Sequence, residues 1–195
     1  DVEAIELPSS YHFEWDGQEG TSTEAIDSLI GVVPLGVIGM VLVVIVLFNA
    51  VRQPVIIFMI VPLAIIGVTI GLLITGIAME FIAILGVLSL SGLLIKNAIV
   101  LVDQMDIEIG EGKPRFDAII EAAYDRARPV ILSSLTTVLG VIPLLFDAFF
   151  KAMAVVLAFG LAFGTVLTLF VVPVLYAIFF KIGPDETAAE PQGAS

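Results

Sequence analysis

Five long apolar stretches dominate this chain of 195 residues. They lie at about 28–51, 54–77, 81–102, 129–146 and 152–180. At about 1.5 Å of rise per helical residue, each can cross the roughly 30 Å hydrocarbon layer of a bilayer. The sequence therefore predicts an all-α integral membrane protein with five transmembrane helices.

Composition agrees with a membrane protein and excludes other classes. Hydrophobic residues make up 59% of the chain and charged residues 14%, against about 25% charged in a soluble domain. The net charge of −12 argues against nucleic-acid binding. The chain has no cysteine, no HExxH motif, and no histidine or carboxylate pair in an apolar stretch. A membrane-embedded enzyme is therefore excluded, and no cofactor or metal is expected.

The two ends of the chain are polar. Residues 1–27 mix short alternating runs with Gly, Pro and Ser, which predicts strands and turns in a short extramembrane α/β remnant. Residues 183–195 are too polar to pack and predict a disordered tail. Because Asp1 is not an initiator Met and no signal peptide precedes the apolar stretches, we expect the chain to be part of a longer one.

Polar segments connect the apolar stretches. The first two flank a tight turn at 50–54, which predicts a helical hairpin. A polar segment at 103–128 follows the third stretch and is predicted to be a loop. Helically spaced apolar residues within it predict a short amphipathic helix at the membrane surface. These residues are Phe116, Ile119, Ile120 and Ala123.

Basic residues predict the orientation, since cytoplasmic loops carry the excess of Lys and Arg. If the N-terminal end lies outside the cytoplasm, only Lys151 falls outside and six basic residues fall inside. We therefore expect an external N-terminal end, a cytoplasmic segment at 103–128 and a cytoplasmic tail. The six residues are Arg52, Lys113, Arg115, Arg126, Arg128 and Lys181.

Lys96 is the residue that most restricts function. It lies about 22 Å along the third span from Phe81, within the hydrocarbon layer. Placing Lys near a helix centre costs about 2.5 to 3.5 kcal/mol. The side chain could snorkel to the cytoplasmic interface. A carboxylate that holds Lys96 inside a helix bundle is the stronger hypothesis.

The carboxylate partner of Lys96 is not found in this sequence. Asp103 shares the helical face but stands about 10 Å away along the axis, which is too far for contact. No other Asp or Glu falls inside an apolar stretch, so the partner must come from other polypeptide. Ionised carboxylates would attract Lys96 and protonated ones would release it, a device suited to transport driven by a proton gradient.

Other polar residues could extend such a device. Asn97 adjoins Lys96, and Ser133 begins a hydroxyl-rich turn of the fourth span. Arg126 and Arg128 precede that span. As a set they could carry water and protons toward Lys96. The alternatives are hydroxyls bonded to the preceding turn and arginines that anchor the interface.

Three motifs together resemble the C-terminal membrane half of resistance-nodulation-division (RND) efflux permeases, in the hydrophobe and amphiphile branch. The motifs are GLLIKNAIVLVDQ, EAAYDRARPVILSSLTTVLGVIPLL and MAVVLAFGLAFGTVLTLFVVPVLYAIFF. The resemblance runs from about Ser28 to Lys181. It implies the last five of twelve spans, with residues 1–27 as the end of a large periplasmic porter loop.

The resemblance also implies site residues. Lys96 falls on a lysine of the tenth span that faces two aspartates of the fourth. Arg126 matches an arginine shortly before the eleventh span, and Asp103 matches an acidic position at the end of the tenth. Ser133 stands where the family usually has threonine. The implied proton relay thus contains Lys96, Asn97, Asp103, Arg126 and Ser133.

The family resemblance implies a homotrimeric inner-membrane antiporter that exports amphiphilic drugs or other small hydrophobic compounds in exchange for protons. The expected partners are the N-terminal half of the same permease with its aspartate pair, a periplasmic adaptor protein and an outer-membrane channel. A second hypothesis is a membrane scaffold or assembly subunit without transport activity of its own. In that case Lys96 would be only a charge that docks one helix on another.

Overall fold

The computed structural model describes the backbone of residues 18–183 and the side chains of residues 25–183. Within these ranges the chain forms six α-helices and one short 3₁₀ helix, η1, and no strand. The helices are α1 Gln18–Phe48, α2 Arg52–Phe58, α3 Ile60–Thr75, α4 Phe81–Gly110, α5 Arg115–Val141, η1 Ile142–Phe146 and α6 Lys151–Phe180.

Five segments of this helical chain are long and apolar enough to cross a membrane. The prediction of an all-α fold with five membrane-spanning helices is confirmed for the part of the chain that the structure describes. The five segments are Ala25–Phe48, Arg52–Thr75, Phe81–Gly110, Arg115–Phe146 and Lys151–Phe180.

The predicted strands and turns before the first span are wrong for residues 18–27, which are helical. Gln18, Glu19 and Glu24 have good helix propensity, so helix α1 begins seven residues before the membrane-spanning segment Ala25–Phe48. The predicted strand around Tyr11 and the predicted tail from residue 184 lie outside the described residues.

The chain divides into two compact units after Met40. In the first unit, residues 18–40 form the beginning of α1. The second unit holds the end of α1 and helices α2 to α6. A short connection over 49–51 joins α1 to α2, and Asn49 adopts a left-handed backbone there with φ of 48°. The hairpin of the first two spans stays a prediction.

The second predicted span is helical but broken. A single residue, Met59, separates α2 from α3. Pro62 lies in the first turn after this break and has no backbone N–H, so the carbonyl of Phe58 loses its usual donor four residues later. The interruption of the second span therefore follows from the proline.

The predicted loop over 103–128 is wrong, because most of it is helical. Helix α4 continues to Gly110 and α5 begins at Arg115, so the connection is only 111–114. Gly112 supplies a positive φ of 88°, and Pro114 directly precedes α5, where its carbonyl accepts from the N–H of Ala118. The predicted short amphipathic helix forms, but it is the first part of a longer helix that continues through Pro129 into the fourth span. Its place at the membrane surface stays a prediction.

Helix α6 lies at the centre of the second unit, and α3, α4 and α5 all pack against it. Glycines allow close approach at two of these contacts. A Cβ atom built on Gly67 of α3 would lie 2.5 Å from the Cβ of Phe163, and one on Gly164 of α6 would lie 2.6 Å from Cδ2 of Leu94. The core between these helices is formed by Val68, Leu72, Leu90, Leu94, Val155, Val156 and Leu161.

Candidate functional site

Lys96 lies in the middle of α4 and points away from the packed side of that helix. Its neighbours Ile95 and Asn97 are buried, with exposures of 3% and 8%. Lys96 itself is exposed. Because successive helical residues are about 100° apart, buried neighbours on both sides place the ammonium on the face opposite the core.

The surface of α4 around the lysine is called here the Lys96 face. Its exposed residues recur at spacings of three, four and seven, which is one face of a helix. Gly92 has no other atom within 4 Å of a Cβ built on it, so the face is open beside the lysine. The residues of the Lys96 face are Leu88, Ser89, Gly92, Lys96 and Asp103.

Lys96 has no acidic partner among residues 25–183. The ion pairs found there both involve Lys113, which binds Glu108 and Glu121. Asp103 is exposed on the same face as Lys96, and α4 is continuous between them. Seven residues of helix separate them by about 10 Å along the axis, so they do not neutralise each other.

Asn97 lies on a different side of α4 from Lys96. Its side chain is buried, together with Leu94 and Ala98 on the packed side. The predicted relay residues on α4 are therefore split, with Lys96 and Asp103 outward and Asn97 inward.

Arg126 is part of a polar network that joins the end of α4 to the first half of α5. Its Nε and Nη2 atoms donate to Oε1 of Gln104, with an Nε to Oε1 distance of 3.1 Å. Gln104 Nε2 donates to Glu108 Oε1 at 2.7 Å. Glu108 also accepts from Lys113, which bonds Glu121 at 2.9 Å. These two hydrogen bonds raise the pKa of Lys113 above its ordinary value.

Ser133 is exposed on α5, and its carbonyl oxygen accepts hydrogen bonds of 2.9 Å from the hydroxyls of Thr136 and Thr137. The adjacent Ser134 is buried instead. Its hydroxyl oxygen lies 2.7 Å from that of Thr165, which joins α5 to α6. Of the serine pair, Ser134 thus supports packing and Ser133 is the one open to other groups.

A second polar cluster, which the sequence did not indicate, lies where α2, α4 and α6 come together. The Tyr176 hydroxyl donates to Asp106 Oδ1, and Gln53 Nε2 donates to Asp106 Oδ2 at 3.4 Å. Tyr176 stacks on Phe180 with ring centroids 4.4 Å apart. The guanidinium of Arg52 lies 5.7 Å from the centroid of the Phe180 ring. We call Gln53, Asp106 and Tyr176 the Asp106 cluster.

The available signals for the Asp106 cluster were weak. A carboxylate four residues after an apolar stretch and a tyrosine near the end of another are both ordinary at a membrane boundary. The three residues are separated in sequence by 53 and 70 positions. Local spacing therefore could not bring them together.

The described residues contain no group of three or more His, Cys, Asp or Glu that could hold a metal ion. What this part of the chain offers is a cationic ammonium on an open helix face, held on a helix whose end is fixed by two polar networks. Such an arrangement can bind a carboxylate from another segment and respond to its protonation.

Two solved structures resemble the fold of this chain. Both are X-ray crystal structures of a heavy metal efflux pump, in crystal forms II and I. The first has a TM-score of 0.76 and 28% sequence identity, and the second has 0.69 and 27%. Each match covers 90% of this chain and 18% of the pump's chain. This chain thus spans less than a fifth of the length of the pump.

A family model described as the AcrB/AcrD/AcrF family matches residues 2–180. The match covers almost the whole chain, including all five membrane-spanning segments. It agrees with the likeness to the solved efflux pump. The chain therefore belongs to the AcrB/AcrD/AcrF family of RND efflux transporters, which are multi-pass proteins of the inner membrane.

Proposed function

We propose that this chain supplies the lysine side of a proton-coupling site in an RND antiporter. The observation that carries the proposal is the Lys96 face, an exposed cation on a membrane-spanning helix without an acidic partner among residues 25–183. The missing partner is a carboxylate pair on the N-terminal half of the same permease.

The composition of the Lys96 face supports contact with another protein segment over contact with lipid. Gly92 is one turn and Ser89 two turns before Lys96, and Gly92 leaves open space. Small residues let a neighbouring helix approach closely, whereas a lipid-facing surface is usually large and apolar. A charge in a membrane span usually faces the interior of a bundle and pairs there.

Protonation of the partner carboxylates would switch the contact with Lys96. When they are ionised, the ammonium attracts them strongly, because the surrounding dielectric is low. When they bind protons, the attraction is lost and the two helices can separate. Alternation between these states couples proton entry to movement of the membrane domain.

The rest of the proposed assembly follows the family. The N-terminal end is periplasmic, with residues 1–27 as the end of a porter loop, and the C-terminal tail is cytoplasmic. The permease is a homotrimer that works with a periplasmic adaptor protein and an outer-membrane channel. Arg126 and Ser133, on the helix next to α4, line the proton path, and Asp103 lies at its cytoplasmic end.

Two substrate classes are candidates. Amphiphilic drugs and other small hydrophobic compounds are proposed from the motifs around Lys96 and Ser133. Heavy-metal ions are the second candidate, because the two solved structures with 28% and 27% identity come from a heavy metal efflux pump. Competition assays with a fluorescent amphiphile and with metal salts, in vesicles that hold the assembled permease, separate the two classes.

The test of coupling is substitution of Lys96 in the assembled permease. We expect Lys96→Ala to abolish proton-driven export while expression and membrane insertion stay near normal, because the side chain contributes to switching and not to packing. Export is measured in energised inverted vesicles. Lys151→Ala is the matched control, since Lys151 is also exposed and lies at the first residue of α6.

The scaffold hypothesis makes the opposite prediction for the same experiment. If Lys96 only docks α4 on a partner, its loss should reduce the amount of assembled complex, and the complex that remains should export normally. Normal export per assembled permease in Lys96→Ala would therefore refute the proton-coupling proposal.

A further inference from the structure

The end of α4, from Asp103 to Gly110, is held from two opposite sides. On one face, Gln104 accepts from Arg126 of α5. Glu108 on the same face pairs with Lys113 of the 111–114 connection, which also pairs with Glu121 of α5. Residues 104 and 108 share a face because they are one turn apart.

The opposite face of the same helix end carries Asp106. Asp106 is two residues from both Gln104 and Glu108, which is a rotation of about 200° around the helix axis. Its side chain therefore points away from the network that involves α5. It accepts from Tyr176 of α6 and from Gln53 of α2. One carboxylate therefore joins α4 to two other helices.

Asp106 is bonded by two buried side chains, which restrict its position. Gln53 and Tyr176 are buried, with exposures of 8% and 2%. The side-chain oxygen Oε1 of Gln53 is buried without a donor, while its Nε2 is directed at Asp106. Turning the amide over would bring two oxygens together, so the carboxylate fixes the amide even though this leaves Oε1 unsatisfied.

Asp106 is ten residues after Lys96 on one continuous helix, about 15 Å along the axis. A helix is stiff over this distance, so a shift at Asp106 moves Lys96. We infer that Asp106 is a positioning residue, which sets the place of Lys96 by tying α4 to α2 and α6. This inference rests on the proposed role of Lys96 in proton coupling.

Two substitutions of Asp106 distinguish a role of its hydrogen bonds from a role of its charge. Asp106→Asn keeps an oxygen acceptor for Tyr176, and its new amide donor can satisfy Oε1 of a reoriented Gln53. Asp106→Ala removes both hydrogen bonds. A positioning residue should tolerate the first change and not the second, whereas a proton carrier should fail with either.

The experiment measures the pH profile of export for Asp106→Asn, Asp106→Ala and Tyr176→Phe in the assembled permease. Tyr124→Phe is the control, because it removes a hydroxyl from an exposed position on α5. With α4 displaced, Lys96 stabilises its ionised partners less and their pKa rises. We therefore expect the pH of half-maximal export to move up by about half a unit or more in Asp106→Ala and Tyr176→Phe. Asp106→Asn and Tyr124→Phe should keep the wild-type profile.

Thermal unfolding of the same variants provides a second measurement. The Asp106→Ala and Tyr176→Phe changes should be non-additive in the double variant, because they remove the same hydrogen bond. If Asp106→Ala does not fold, Tyr176→Phe still tests the inference on its own.

Three results would overturn the inference. A wild-type pH profile in both Asp106→Ala and Tyr176→Phe, with export lost in Lys96→Ala, would refute the positioning role of Asp106 and leave the proposed function of Lys96 in place. Loss of export in Asp106→Asn would show that the charge or proton of Asp106 is required. Retained export in Lys96→Ala would remove the proposed function and this inference together.

Discussion

For single residues, the direction of the side chain on its helix decides whether it packs in the core or is open to other groups. On α4 the neighbours Ile95 and Asn97 are buried and Lys96 is exposed. On α5 the same separation holds for Ser133, which is exposed, and Ser134, which is buried. One position along a helix turns a side chain by about 100°, so adjacent polar residues can have different roles.

The serine pair gives a direct test of this separation. Ser134→Ala should lower the free energy of unfolding by about 1 kcal/mol, because the buried hydrogen bond between Ser134 and Thr165 is lost while Thr165 keeps its bond to the Leu161 carbonyl. Ser133→Ala should leave stability unchanged and weaken export less than Lys96→Ala does. Thermal unfolding and vesicle export measure the two effects. Equal destabilisation by both serine changes would contradict the assignment.

At the scale of helices, α6 is the element on which α3, α4 and α5 pack. The contact between α3 and α6 is especially close, because Gly67 and Gly71 face the Cβ atoms of Phe163 and Phe159. A Cβ atom lies next to the backbone and cannot swing aside, unlike the tip of a leucine. This contact therefore depends on glycine more than the one between Gly164 and Leu94.

We expect Gly67→Ala to lower the free energy of unfolding by about 1–3 kcal/mol, because the new methyl group would lie 2.5 Å from the Cβ of Phe163. Gly140→Ala is the control, since no other atom lies within 4 Å of its Cβ. The control should be neutral or slightly stabilising, because Ala is the better helix former. An unchanged unfolding temperature in Gly67→Ala would contradict the close packing.

The five spans could be predicted because length and apolar composition are local properties. The extent of α4 and α5 could not, because polar residues after Val102 look like a loop until their partners are known. In the structure Gln104, Glu108 and Lys113 bond one another and neighbouring residues, which lets helix continue through a polar sequence. Pro129 was likewise expected to begin a span, but it lies inside α5.

The candidate site could be predicted only in the part that depends on local sequence. A lysine inside an apolar run is visible in the sequence, and so is the lack of a nearby carboxylate. The Asp106 cluster depends on residues of three helices and requires the tertiary fold. The bond between Arg126 and Gln104 also joins two helices, so this cross-link could not be found from the sequence alone.

At the scale of the whole molecule, the chain spans 18% of the length of the efflux pump that it resembles. Its proposed activity therefore depends on polypeptide beyond residues 1–195. The Lys96 face predicts where a helix of that polypeptide packs. The basic residues near the helix ends predict how the chain is oriented in the membrane. Orientation is the first property to establish.

The absence of native cysteine makes orientation easy to measure. Glu111→Cys, in the turn between α4 and α5, should react with a membrane-impermeant maleimide from the cytoplasmic side. Ala148→Cys, between η1 and α6, should react from the periplasmic side. Both positions are exposed. Labelling from the reverse sides would contradict the orientation derived from the basic residues.

A cryo-EM structure of the assembled permease in lipid at neutral pH would show directly whether Lys96 pairs with a carboxylate. We predict that Nζ of Lys96 lies within about 4 Å of a carboxylate oxygen that belongs to a helix outside α1 to α6. An Nζ atom that instead extends to the lipid headgroups or to bulk water, with no carboxylate in reach, would refute the role of Lys96 in proton coupling.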